Sequence, residues 1–273
     1  MRGMPTYNFR LEPLSAIQED EVWRVQIKPL LQELPQNVVD VCYYGFTEIL
    51  NNAIDHSESQ LAEIWVVRTD SHLKLGVQDF GIGIFNRLRE GLSLDDDRHA
   101  VLELIKGRLT TAPDRHTGEG LFFTSRMFDN FSVCSTLCLE QFNGDWLIQD
   151  SEPIEGTRVE MELSLPSSRT SQQIFEEYAS EEDDFAFSKT MIPVRLAQYG
   201  DEGLISRSQA KRLLHRLDEF KVVLLDFKGV EMIGRSFADE VFRVWTSQHP
   251  KVKVVSVNQN EAIRRLIAGK AQT

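Results

Sequence analysis

The sequence predicts an α+β protein: a two-layer α/β sandwich with a mostly antiparallel sheet, followed by a second, smaller α/β domain. Three features carry the prediction. Residues 38–54 place apolar side chains at helical spacing, and two strand-like runs, LAEIWVVRTD and HLKLGVQDF, follow across a turn at Asp70 and Ser71. From residue 189 onward, strand-type and helix-type segments alternate three times, the pattern of a partly parallel sheet. Charge also divides: residues 185–273 hold 15 Lys and Arg against 9 Asp and Glu, net +6, whereas residues 1–184 hold 15 against 33, net −18.

The elements follow in order. The helix over 38–54 comes shortly after Pro35, which suits a helix start. Strands are expected over 61–70 and 72–80, then loop and helix over 84–117, and a helix over 121–128 after a glycine pair. Residues 131–139 and 156–165 read as further strands. The stretch SSRTSQQIFEEYASEEDD, residues 167–184, is polar and ends in an acidic cluster, so it is taken as a linker with a helical piece around 171–179. Beyond it, strands at 189–196, 221–227 and 251–258 alternate with helices at 208–220, 236–248 and 261–268. The expected domains are therefore 1–166, an acidic linker 167–184, and 185–273.

Composition narrows the function. A chain of 273 residues with 41% hydrophobic content is long enough and apolar enough for two folded units. No apolar run approaches the length of a membrane span, and MRGMPTYNFRLEPLS has no signal-peptide core, so a cytoplasmic protein without membrane association is expected. A net +6 on the second unit is too small to indicate nucleic acid. Cys42, Cys134 and Cys138 are read as buried apolar thiols, because no histidine or further cysteine completes a zinc set.

The chemistry concentrates in TEILNNAIDHS. At helical pitch Glu48, Asn52 and Asp55 share one narrow sector, while Cys42, Phe46, Ile49 and Ala53 face well away from it. An Asn carbonyl is a hard oxygen ligand for Mg²⁺, and a Glu one turn earlier can accept a proton from an attacking water or hydroxyl. Alone, such a stripe reads as a wet helix face. DFGIG follows a strand, so Asp79 can accept a hydrogen bond from an exocyclic amino group such as adenine's, while Gly81 and Gly83 allow close backbone approach; a plain tight turn is the alternative. TGEGL precedes a helix, whose first backbone N–H groups suit phosphate. Arg115 and His116, just before it, are candidate phosphate contacts or solvated loop residues. Thr157 in EGTRVEMELSLP begins a strand and can reach an adenine edge.

EILNNAIDHS, DFGIG, TGEGL and EGTRVEMEL resemble, in order and approximate spacing, the N, G1 and G2 boxes and the terminal strand of the GHKL nucleotide-binding superfamily, which has the Bergerat fold and includes gyrase, heat-shock chaperone, sensor histidine kinase and MutL-type ATPases. The resemblance spans about residues 7–166. It implies Glu48 as the activating base, Asn52 as the Mg²⁺ ligand, Asp79 as the adenine reader, and Gly81, Gly83, Gly118 and Gly120 as phosphate and lid glycines. It further implies that Asp55, His56, Ile84, Thr117, Leu121 and Thr157 line the nucleotide. The Glu-x-x-x-Asn-Ala order and short lid are most similar to the histidine-kinase and anti-sigma-factor branch. No histidine precedes the N box in this chain, so self-phosphorylation of the sensor type is not expected.

The run VVLLDFKGVEMIGRSFADEVF resembles the central strand, loop and helix of STAS domains over roughly 186–270. The Asp-Ser-Ser-Gly loop of that family is replaced by Gly234, Arg235, Ser236 and Phe237, with Arg235 at the phosphoacceptor position. Ser236 is expected as a helix N-cap, and His215 as a helix-surface or core histidine. Together the resemblances imply a regulatory protein that binds ATP or ADP with Mg²⁺, whose nucleotide state controls contact with the STAS-like domain or a protein partner, with slow hydrolysis and homodimerisation as accompanying expectations. A protein serine or histidine kinase and a non-catalytic nucleotide-binding module are the alternatives.

Overall fold

The computed structural model describes residues 6–109, 118–179, 187–198 and 203–269. The chain forms two compact units: residues 1–97 with 110–175, and residues 98–109 with 176–273. The sequence division did not place 98–109 in the second unit. Residues 167–175, read as linker, pack within the first. Asn37 Nδ2 donates to the carbonyls of Ser167 and Arg169, Arg169 pairs with Asp129 at 2.9 Å, and Phe175 meets Tyr44 and Phe123 edge-on.

The first unit runs β1 (Thr6–Leu11), α1 (Glu19–Val22), α2 (Gln36–His56), β2 (Ala62–Arg68), β3 (His72–Asp79) and α3 (Ile84–Leu92). After α4 (Asp97–Lys106), which belongs to the second unit from Arg98 onward, come α5 (Gly120–Met127), β4 (Asn130–Cys134), β5 (Cys138–Phe142), β6 (Asp145–Gln149), β7 (Arg158–Ser164) and α6 (Ser171–Tyr178). The seven strands form one antiparallel sheet in the order β1-β2-β3-β7-β4-β5-β6. Register aligns its apolar residues. Ile64 opposes Val77, Val77 opposes Val159 and Val159 opposes Val133, and all four are buried. Alternation along β2, β4 and β7 turns the intervening side chains outward, which gives the sheet one apolar face.

Helices α2 and α5 pack together on that sheet. The α2 face consists of Val38, Val41, Cys42, Phe46, Ile49, Leu50 and Ala53, all buried at helical spacing. Gly45 sits among them. A Cβ there would lie 2.6 Å from the Phe128 ring and 3.2 Å from Met161 Sδ, so close packing explains a glycine inside a long helix.

Two expectations change. Residues 131–139 are a hairpin rather than one strand, because the chain turns between β4 and β5 without a glycine or proline to signal it. Cys134 and Cys138 consequently oppose each other and are joined as a disulfide, not held as thiols. Cys42 remains a buried thiol, with burial pushing its pKa up. Strands β1 and β6 were not anticipated. The second was signalled by Asn143 and Gly144, both at positive φ in the hairpin turn before it.

In the second unit, β8 (Lys189–Pro193), β9 (Val222–Asp226) and β10 (Lys253–Val257) form a parallel sheet in the order β10-β9-β8. Between them lie α7 (Arg207–Leu214) and α8 (Arg235–Asp239), the latter continuing through a π-type turn into α9 (Thr246–Gln248); α10 (Glu261–Ala268) ends the described chain. Local chemistry sets the helix starts. Ser206 and Gln209 form a reciprocal capping box on α7, and Asn260 caps α10. Gly234, not Ser236, occupies the N-cap of α8, and Ser236 is exposed in its first turn. Gly234 is needed there because a Cβ would meet the Ile205 backbone, and its N–H is already committed to the Leu204 carbonyl at 2.8 Å.

The Gly45 packing is testable. Helix propensity alone favours alanine by about 1 kcal/mol. Overpacking against a buried ring costs about 1–3 kcal/mol. Gly45→Ala is therefore expected to lower stability by roughly 1 kcal/mol net, read as a lower urea midpoint at unchanged slope.

Candidate functional site

Asp79 ends β3 and is only 5% exposed. Burial pushes its carboxyl above the ordinary range, against hydrogen bonds from the Gly81 and Thr157 backbone that favour the ionised form. Oδ1 accepts from Gly81 N at 3.0 Å and Thr157 N at 3.2 Å, and Asp79 N donates to the Thr157 carbonyl at 3.0 Å. A carboxylate has about four acceptor positions. Two backbone donors and the Thr157 hydroxyl leave capacity for one more.

The same few atoms fasten the neighbouring motifs. Ile84 N, at the start of α3, donates to Thr157 Oγ1 at 2.9 Å, and that hydroxyl in turn donates to the Asp79 carboxylate. Ile82 N donates to the Ser57 carbonyl at 3.0 Å, and Phe80 N to Ser59 Oγ at 3.2 Å, tying DFGIG to the end of α2. The glycines are required by the protein itself. A Cβ on Gly81 would collide with the Ser57 carbonyl, one on Gly83 with Ser135 Oγ, and one on Gly156 with Asp79; Gly83 and Gly156 also have positive φ. The Cβ side of Gly81 and Gly83 is thus taken up by protein atoms.

TGEGL reaches the other part of α2. A Cβ on Gly120 would fall on the Glu48 carboxylate, so Glu48 stands at the start of α5, where a negative charge is favourable. Burial first, then the charges of Glu48 and Glu119, raise the pKa of Tyr44. Gly118 has φ +71°. Between the two contacts α2 carries half-buried Asn52 and His56 and exposed Asp55; Leu121 and Ile84 are half-buried on the first turns of α5 and α3. Thr117, with Arg115 and His116, lies outside the described residues. Helix α2 is therefore a common wall: Glu48 borders Gly120, and Ser57 borders Gly81. An open cleft of about 630 Å³, lined in part by Asp20, Arg24, Lys28, Asp40 and Tyr43, contains none of these residues.

A second cluster was not singled out from sequence. Every residue of α4 from His99 to Lys106 is buried, including the charged pair Glu103 and Lys106. Lys106 Nζ donates to Glu103 Oε1 at 2.5 Å and to the carbonyls of His215 at 2.8 Å and Arg212 at 3.3 Å, covering the C-terminal end of α7. His215 Nδ1 lies 3.1 Å from Glu103 Oε1, His99 Nε2 3.6 Å from it, and Arg216 Nη1 3.4 Å from Oε2. Burial alone would raise the Glu103 carboxyl; the Lys106 ammonium and the His215, His99 and Lys106 hydrogen bonds overcome it and hold it well below the usual range. His215 is a partly exposed residue at the end of α7, as expected of a helix-surface histidine, and it also partners a buried carboxylate. One ligand-type atom from each of His99, Glu103 and His215 falls within 4.8 Å of the others. Lys106 nevertheless already supplies the cation, so the geometry is an ion network. The available signal was HAVLELIK, an apolar helix carrying a carboxylate and an amine three residues apart.

The STAS-like domain of unknown function (DUF4325) matches residues 209–264, from within α7 into α10. The C-terminal unit is accordingly STAS-like. No curated protein matches the chain.

The Glu103 network sets a pH dependence. A carboxyl held below its unfolded value contributes stability above that value and loses it as pH falls toward the folded one. Unfolding of the wild type is expected to steepen with acid below about pH 5, around the ordinary Glu value. Glu103→Gln, which strands Lys106, is expected to be less stable at neutral pH by about 3–5 kcal/mol. It should also lose much of the acid slope, as followed by denaturant melts between pH 3 and 7.

Proposed function

We propose that the first unit binds an adenine nucleotide with Mg²⁺ in the manner of the GHKL superfamily, and that nucleotide state regulates the STAS-like unit or a protein partner. The observation that supports this best is the convergence on α2. Asp79, Gly81, Ile84, Gly156 and Thr157 are tied around one buried carboxylate, and Glu48 meets Gly120 farther along the same helix. In this reading the remaining acceptor capacity of Asp79 takes the exocyclic amine of adenine, with the Thr157 hydroxyl beside it. Asn52 supplies an oxygen to Mg²⁺, which keeps waters and phosphate oxygens for the rest of its shell. Asp55, His56 and Leu121 border the phosphates, and the backbone at Gly118 and Gly120 meets them at the start of α5.

Glu48 is the base if the bound nucleotide reacts. When bound, Mg²⁺ would neutralise charge on the phosphates, leaving Glu48 to orient and deprotonate the attacking hydroxyl or water. Slow hydrolysis is one outcome. Phosphotransfer to a protein serine is the second reading, favoured by Ser236, which is exposed in the first turn of α8. Labelled ATP with the wild-type chain and Ser236→Ala separates the two.

The defining experiment is calorimetric titration with Mg·ADP and Mg·GDP. Wild type is expected to bind ADP at least tenfold more tightly than GDP, because guanine presents a carbonyl to the Asp79 carboxylate. Asp79→Asn should lose at least tenfold in ADP affinity and most of the base preference. A wild-type protein that takes up neither nucleotide at millimolar concentration would refute the reading.

A further inference from the structure

We propose that Cys134 and Cys138 form a reversible thiol–disulfide site, whose state sets how the turn between them packs against the Asp79 junction. All the groups concerned lie in the first unit, and the coupling holds whether or not a nucleotide binds there.

The bond adds little to the fold as a staple. It joins residues only four apart, and closing so short a loop removes little freedom from the unfolded chain. The two cysteines already face each other at the end of the β4–β5 ladder, whose hydrogen bonds hold the strands without it. Its position matters more. Val133 and Leu139 point into the core, so the sulfurs stand on the opposite face of the sheet. Cys134 is half-buried and Cys138 nearly covered, which leaves Cys134 Sγ as the sulfur open to an entering thiolate. Arg158 is directly opposite Cys134 on β7, and a guanidinium there favours sulfur in the thiolate form.

The turn that the bond closes is part of the junction. Ser135 is buried, and a Cβ on Gly83 would lie 2.3 Å from its Oγ and 3.1 Å from the Gly156 carbonyl oxygen. The turn, DFGIG and the approach to β7 therefore meet at one point. Ser135 N donates to the Leu137 carbonyl at 2.9 Å, and the Ser135 carbonyl accepts from Ile154 N at 2.9 Å. Gly156 packs on Asp79, and Thr157 N donates to the Asp79 carboxylate. Thr136 Oγ1, at the tip of the turn, is buried and meets no hydrogen-bond partner among the described residues.

Reduction must move this turn. Two thiol sulfurs cannot stay at the bonding separation of about 2 Å. Val133 and Leu139 are fixed in the packed core, so the turn between the cysteines is the part that gives way. The step balances as exchange with a dithiol, or with two molecules of a monothiol. A reductant thiolate attacks Cys134 Sγ, the bond to Cys138 Sγ breaks, and Cys138 leaves as a thiolate that takes up a proton. A second reductant thiolate attacks its partner sulfur in the mixed disulfide, and Cys134 is released and protonated. Two electrons pass to the protein and the reductant becomes a disulfide. An external disulfide reverses the sequence.

The test holds the full chain in mixtures of reduced and oxidised glutathione. Thiols are counted by mass after acid quench, denaturation and alkylation, and hydrogen exchange is followed over residues 82–84, 135–137 and 154–157. The expected count is one in oxidised glutathione, Cys42 alone, and three in excess reduced glutathione. Reduction should speed exchange in those three segments at least about fivefold, with β1 and β2 kept within about twofold. The double variant Cys134→Ser, Cys138→Ser should exchange like the reduced wild type in either mixture, and Cys42→Ala should keep the response. Three thiols in oxidised glutathione overturn the site, as does a bond that survives excess reduced glutathione. Reduction that leaves the three segments unchanged, or that speeds exchange throughout the unit, overturns the coupling. These wild-type outcomes decide even where the double variant does not fold.

Discussion

A carboxylate withdrawn from water has to be met by donors, and the first unit solves this at Asp79 with backbone N–H groups. The donors come from its own turn, at Gly81, and from Thr157, far along the chain. Satisfying one side chain therefore fixes the end of β3 against the start of β7, and through Thr157 Oγ1 it fixes the start of α3 as well. Other candidate residues of that unit, among those described, are placed relative to this junction or to α2, whose C-terminal end DFGIG touches at Ser57. The glycines follow from the same constraint. Segments drawn this close around a carboxylate leave no room for a Cβ at Gly156, and the junction with α2 leaves none at Gly81.

The second unit meets the same difficulty at Glu103 by other means. Here the partners are cations and imidazoles rather than amides. Backbone donors stabilise a carboxylate without bringing in charge of their own, so Asp79 stays raised by burial. Ammonium and guanidinium groups oppose burial by Coulomb attraction, so Glu103 is driven down. The first arrangement leaves a carboxylate with capacity for one more hydrogen bond, whereas the second is saturated. The His99, Glu103 and His215 set resembles a metal triad in composition, but the nearby amine already provides the positive charge that a metal would bring.

Much of this was legible in the sequence wherever local chemistry decides. The α2 helix was visible from spacing alone, and α10 from its apolar pattern, because neither depends on a distant partner. STAS-like character was readable from VVLLDF and the helix beyond it. The hairpin between β4 and β5 was hidden because Ser135, Thr136 and Leu137 turn the chain without glycine or proline. Asp79 was legible as a strand-end carboxylate, but its bond to Thr157 joins residues 78 apart in sequence and leaves no local trace. The gravest omission was α4. Its composition read as a helix within a loop, yet its partners are His215, Arg216 and Thr190, and no periodicity in residues 97–106 points to them.

The placement of α4 also decides how the second unit is assembled. Burial of an aliphatic side chain contributes about 1.5–3 kcal/mol. Val101, Leu102, Leu104 and Ile105 are all buried, so together they supply roughly 6–12 kcal/mol as an upper estimate before the Glu103 network is counted. Detaching residues 98–109 would also leave Glu103 and Lys106 buried without their partners. The segment is therefore part of the folded core of the second unit, although two motifs of the first flank it in sequence.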